Sequence, residues 1–236
     1  MTSLRSPSEP SSTHQGGRSN RMWQIALRGV ALLIAVILFD LWVIWPWTSS
    51  WGATDWEMDR ALPGDDLVLV ATVQTTKAIA IDARPDQIYP WLLQLGVDRG
   101  GMYSYDWLDN LLGLHVDSAN EIIPDWQTTQ AGDFVRFTPV DYPLNPGPGL
   151  YIRGLKTDQW LTACFGMEHK PDEPCIDTWQ FVLEPQADGS TRLLLRSRMD
   201  VEQPLLVRLT YPVQFVMERK MLLGIRDRAE DLAAGW

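Results

Sequence analysis

The sequence predicts an α+β fold: a curved antiparallel sheet wrapped on a long C-terminal helix, preceded by one N-terminal transmembrane helix. Three observations carry this. An unbroken apolar run, Val30 to Phe39, lies near the N-terminus. Short segments rich in β-branched and aromatic residues follow one another from Phe134 to Ser197, separated by turn signals. The chain then closes on one long segment of helical periodicity, Pro204 to Leu232.

The 236 residues suit one domain with an appendage, and 45% hydrophobic with 21% charged residues excludes a wholly disordered chain. The net charge of -10 argues against a nucleic-acid partner, whose phosphates select a basic face. Two cysteines and three histidines form no metal motif, and neither a metal nor a cofactor is expected.

The charge is uneven. Residues 1–47 carry a balance of +2 and residues 48–236 one of -12. Residues 1–21 read as a disordered basic tail, rich in Ser, Pro, Gly and Gln without periodicity, and His14 belongs to it. Residues 22–47 read as a membrane span, since about 20 apolar residues cross the hydrocarbon layer. Two registers fit. Met22 to Phe39 leaves Arg28 near one end, whereas Gly29 to Trp47 places Asp40 near the middle at a cost of roughly 2.5–3.5 kcal/mol. Trp42, Trp45, Trp47 and Trp51 resemble an interfacial belt and favour the first register. Basic residues before the span and acidic ones after it (Asp55, Glu57, Asp59) place the N-terminus in the cytoplasm and the domain outside. A cleaved signal peptide and the buried helix of a soluble protein are the competing readings. Bulky tryptophans at the cleavage position oppose the first, and the lack of a second helix nearby opposes the other. Asp40 is either an interfacial residue or a carboxylate that seeks a partner helix.

Residues 48–66 read as a juxtamembrane linker and 67–236 as the domain. Leu67 to Ile81 becomes a strand in its second half, where Thr76, Ala78 and Ala80 alternate with Lys77, Ile79 and Ile81. Arg84-Pro85 opens a helix with Ile88, Trp91, Leu92 and Leu95 on one face, and Gly96 ends it. Tyr105 to Leu114 repeats the pattern. Phe134–Phe137, Leu150–Ile152, Trp160–Phe165, Ile176–Leu183 and Arg192–Ser197 are strands, with Asp188-Gly189 as a hairpin turn. In the last helix Phe215, Leu222, Ile225, Ala229 and Leu232 make one face, with Glu218, Arg219, Arg226 and Asp227 largely elsewhere. Pro212 either kinks this helix or starts its main part. A curved sheet needs its concave face covered, and the terminal helix can lie across it. Such an arrangement leaves a tapering apolar space of the kind that binds small ligands.

Several stretches resemble a membrane-anchored branch of the START-like superfamily, also called SRPBCC, which contains lipid-transfer domains and polyketide cyclases. They are Trp51-Gly52-Ala53-Thr54-Asp55, Leu62-Pro63-Gly64-Asp65, Arg99 to Trp107, Thr178 to Pro185 and Phe215 to Leu222. The resemblance covers roughly residues 50–232, and Gly100-Gly101-Met102-Tyr103-Ser104-Tyr105-Asp106-Trp107 is its most specific part. It implies a helix-grip fold with an apolar cavity and says little about any reaction. No catalytic motif of the characterised cyclases is matched.

The block from Gly100 to Asn120 is the candidate site. It gathers Tyr103, Tyr105, Asp106, Trp107, Asp109, Asn110, His115 and Asp117. Tyrosine (Tyr103, Tyr105) and Asp106 together can polarise a carbonyl, and His115 can shuttle a proton near neutral pH. The opposing reading has the aromatics packing a cavity mouth, Asp106 capping its helix and the glycine pair forming a turn. Tyr103, Tyr105, Trp107, Phe215 and Leu222 are the expected ligand contacts. His169 lies in a polar loop that reads as exposed.

Cys164 and Cys175 flank that loop. A hairpin centred near His169 and Lys170 sets Cys164 opposite Cys175 and Trp160 opposite Trp179, within disulfide reach. A disulfide agrees with an oxidising, extracytoplasmic location, whereas two reduced core thiols suit a cytoplasmic one. Three functional classes follow: a binding module for an apolar small molecule such as a lipid, isoprenoid or polyketide; a cyclase- or dehydratase-like enzyme; and an accessory subunit docked among other membrane subunits through residues 22–47. The first is favoured, because the resemblance and the membrane segment both support it. The enzyme reading requires Tyr103, Tyr105, Asp106 or His115 inside the cavity.

Overall fold

The structure, a computed structural model, describes residues 16–143, 147–171 and 173–235. The tail reading for residues 1–15, including His14, lies outside the described residues. From Gly16 the chain is already helical. Helix α1 (Gly16–Phe39) continues through a wide π-turn (Asp40–Ile44) into α2 (Trp45–Ser49). The π-turn has a local cause. Pro46 lacks an N–H and would clash with the carbonyl four residues before it, and the wider turn relieves both demands. Trp45 N–H instead meets the Asp40 carbonyl, five residues back. The stretch Arg21–Ser49 is therefore one uninterrupted helix, long and apolar enough to cross a membrane, with Met22, Leu32, Leu33 and Val36 all exposed.

The sheet has six antiparallel strands: β1 (Val73–Ile81), β2 (Phe134–Arg136), β3 (Pro148–Lys156), β4 (Trp160–Met167), β5 (Thr178–Pro185) and β6 (Thr191–Met199). Their order is β1-β6-β5-β4-β3-β2. Strands β2 to β6 form a meander. The chain between β1 and β2, with α4 (Pro85–Leu93) and α5 (Asp106–Leu111), crosses from one edge of the sheet to the other. Helix α6 (Pro204–Ala234) covers the concave face, so the arrangement is α+β with a long helix in the grip of a curved sheet. Pro212 lies within α6 without ending it. Alternation decides what meets α6. Ile79 and Ile81 of β1, Leu193 and Leu195 of β6, and Trp179, Phe181 and Leu183 of β5 join Met221, Leu222, Ile225 and Ala229 in one core. Gly224 sets the helix height, because a Cβ there would collide with the Tyr103 carbonyl.

The convex face is covered too. Residues 48–66, read above as a linker, pack on it. Leu62 joins Ala78, Val182 and Leu194 in a second core, with Ala53 and Trp160 alongside. A capping box at Thr54 and Glu57 starts α3 (Asp55–Asp59). Arg192 then holds Glu57 through Nε and Nη2 at 2.8 and 3.0 Å. Arg196, 1% exposed, donates to the carbonyls of Glu57, Met58 and Arg60 and to Asp65 Oδ2. An Arg in phase with Leu194 is tolerated inside because every donor direction finds oxygen.

The β4–β5 register corrects one expectation. Cys164 faces Thr178 and Trp160 faces Val182, three residues further along β5 than a hairpin centred at His169 and Lys170 gives. The reason is an asymmetric loop. His169 adopts φ 67°, the Lys170 N–H meets the Met167 carbonyl, and the Glu173 N–H meets the Lys170 carbonyl. Strand β4 runs on to Met167 whereas β5 starts only at Thr178, so the longer arm of the loop lies on the β5 side. Cys175 thus lies before β5, and a disulfide ties it to Cys164 with a Cα–Cα distance of 5.5 Å.

Candidate ligand cavity

A cavity of about 230 Å³ survives between α6 and the sheet. Helix α6 contributes Gln214, Met217, Glu218 and Met221, which fall at i, i+3, i+4 and i+7 and so share one stripe. The sheet side supplies Trp179 and Phe137. Met102 and Ser104 come from the loop after α4, Asp109 from α5, and Leu114 follows it. Phe137, Phe165 and Trp179 contact one another at ring separations of 5.4–5.7 Å and stiffen this wall.

Behind the apolar lining lies a charged cluster. Lys77 Nζ and Glu218 Oε2 are 2.7 Å apart, with side chains 0% and 1% exposed. Lys77 also donates to Thr75 Oγ1 at 3.0 Å. Tyr211 OH donates to Glu218 Oε2 at 2.7 Å, and Gln214 Nε2 to Oε1 at 2.9 Å. Burial, then the Glu218 charge, holds the Tyr211 hydroxyl well above its ordinary range. The same two causes push Asp177 up to about 7. Glu218 is therefore not on the polar face of α6, where the sequence pattern placed it. The legible signal was Lys77: a lysine in phase with Ile79 and Ile81 points at the core and needs a buried carboxylate.

The residues expected to form the site do not gather there. Tyr103 is a core residue with φ 53°, edge-on to Trp91, and it takes Arg228 over its ring. Burial raises its hydroxyl above the usual range. Leu222 is likewise wholly buried in the core. Tyr105 and Phe215 line a different hollow, on the side of α6 that meets Trp47 and Trp51. Trp107 is 67% exposed. Asp106 neither caps α5 nor reaches the cavity: its carboxylate accepts from Ser118 N–H at 2.9 Å and Ser118 Oγ at 2.7 Å. This pins the loop that carries Gly101, where a side chain would collide with Ser118. His115 is exposed at φ 52°. None of the four candidate catalytic residues lines the cavity.

The tryptophans at the C-terminal end of the apolar helix also differ from a simple interfacial belt. Trp45 packs edge-on to Tyr211, and Trp47 and Trp51 both meet Phe215. Arg208 and Arg219 lie over Trp45 and Trp51. Trp42 alone of the four stands clear. On α6, Leu206, Leu209, Val213 and Val216 recur at steps of three and four, and all but the half-buried Leu209 are exposed.

No family model matches the sequence, and no curated protein matches it either. Several solved structures are similar in shape. The Aha1 dimer from Colwellia psychrerythraea is 16% identical with a TM-score of 0.41, covering 67% of this chain and 97% of that one. A hypothetical protein from Helicobacter pylori is 8% identical at 0.43, covering 72% and 95%. A Mesorhizobium loti protein is 10% identical at 0.40, covering 66% and 96%. The fold assignment stands on the strand order and the position of α6.

Proposed function

We propose that the protein is a membrane-anchored binding module that holds a small apolar molecule between sheet and terminal helix. The cavity is the observation that carries this reading. Its lining is almost wholly thioether, aromatic and aliphatic, with a few polar groups at fixed places, which is the composition of a ligand site. Its volume falls below the usual range of about 300–1,000 Å³, which favours a compact single-ring or short-chain molecule over a two-chain lipid. The apolar helix Arg21–Ser49 supports anchoring, and the disulfide with the charge asymmetry supports an extracytoplasmic domain.

Native mass spectrometry of the full chain released from its own membranes tests this. A compound of small-molecule mass is expected on a substantial fraction of the protein. Met221→Trp, which fills the cavity, is expected to abolish that adduct while the fold persists. An adduct that survives Met221→Trp would place the ligand elsewhere, and a protein free of any compound would remove the reading.

A further inference from the structure

Among the described residues, the acid and amide side chains lining the cavity are committed to protein partners with one exception. Gln214 donates to Glu218, Glu218 is held by Lys77 and Tyr211, and Ser104 Oγ donates to the Met217 carbonyl. Asp109 lines the same space, is 7% exposed, and its carboxylate meets no hydrogen-bond donor or cation among the described residues. Its neighbour Asp106 is satisfied by Ser118. The Trp179 indole N–H also lacks a partner, but it is enclosed, with no accessible surface.

An unpaired carboxylate in apolar surroundings is costly unless a donor or a cation meets it. The protein supplies neither. Lys77 is spent on Glu218, so among the residues lining the cavity Asp109 is the carboxylate without a cation beside it. Phe137 and Trp179, their rings tilted at 45° to one another, line the same cavity and add π surface, which also attracts cations. We propose that the cavity selects a compact apolar amine, its ammonium on Asp109 and its hydrocarbon against Phe137, Trp179 and Met221. This rests on the reading of the cavity as a ligand site and adds the charge of what fills it. Burial, then the nearby Asp106, raises the Asp109 carboxyl above its ordinary range. A bound ammonium reverses that shift.

The test uses the full chain in zwitterionic nanodiscs, titrated calorimetrically against empty nanodiscs. Three probes of one shape are compared: 4-phenylbutylamine, 4-phenylbutanol and 4-phenylbutanoate. The amine is expected to bind at least about tenfold tighter than the alcohol, and the carboxylate weakest. Asp109→Asn is expected to abolish the preference for the amine over the alcohol. Asp109→Glu keeps the preference, which separates charge from folding damage. Met221→Trp is expected to abolish binding of both. If amine and alcohol bind alike in the unaltered chain, the charge assignment falls and the cavity reading stands. If no probe binds, both fall. Amine binding that survives Met221→Trp lies outside the cavity and overturns the proposal.

Discussion

Lys77→Met should be among the most damaging single changes in the domain. At 2.7 Å and an effective dielectric near 20, the attraction between Lys77 and Glu218 is about 6 kcal/mol. Most of that is offset by taking both charges out of water, so the intact pair adds little net stability. Removing one partner is different: it strands the other charge and costs about 3–5 kcal/mol. For a chain of this size each kcal/mol moves Tm by roughly 2–4 °C. Lys77→Met should therefore lower Tm by roughly 6–20 °C, read from near-ultraviolet circular dichroism of the full chain in mild detergent. The double variant Lys77→Met with Glu218→Met leaves no stranded charge, and Tyr211 keeps its bond to Thr75 at 3.1 Å. It should recover most of the loss. Strictly additive single effects would falsify the claim that the pair acts as a unit.

Three further outcomes follow from the structure. The disulfide closes a loop between positions 11 apart, worth about 3 kcal/mol by loop entropy. Cys164→Ala with Cys175→Ala should lower Tm accordingly, and free thiols in protein from its native membrane, found by non-reducing mass spectrometry, would count against an extracytoplasmic domain. Glu57 is held down to about 2 by its bond to Arg192, against burial, so its stabilisation is present above pH 4.5 and lost as pH falls toward 2. It amounts to as much as about 3 kcal/mol, and Glu57→Gln should flatten the acid limb of a Tm-versus-pH curve. Asp177 has the opposite sign. Raised to about 7, it makes the fold lose stability as pH rises from about 4 to 7, so Asp177→Asn should raise Tm at pH 8 more than at pH 5.

The elements were largely legible because their causes are local. Arg84-Pro85, the β1 alternation and the 3.6-residue period of α6 act within a few residues, and each appears where the pattern indicates, whereas α4 ends at Leu93, short of the Gly96 expected to end it. The candidate site was not legible in the same way. Tyr103, Asp106 and His115 are chemically versatile residue types, yet Gly224 presses α6 onto the Tyr103 backbone and Ser118 occupies Asp106. Those contacts join positions more than ten apart in sequence, and composition carries no trace of them. Asp109 stands in the same block, and only the closed fold shows which acid lacks a partner. The cysteine register failed for a related reason: a loop's centre cannot be located until its positive-φ turn is known.

Tyr211 gives the molecule an unusual mechanical economy. One side of its ring bears on Trp45, in the foot of the apolar helix, and its hydroxyl grips Glu218, in the wall of the cavity. The helix runs unbroken from Arg21 to Ser49, so its foot and the chamber wall share one aromatic hinge-pin, and a displacement of either bears on the other through that ring.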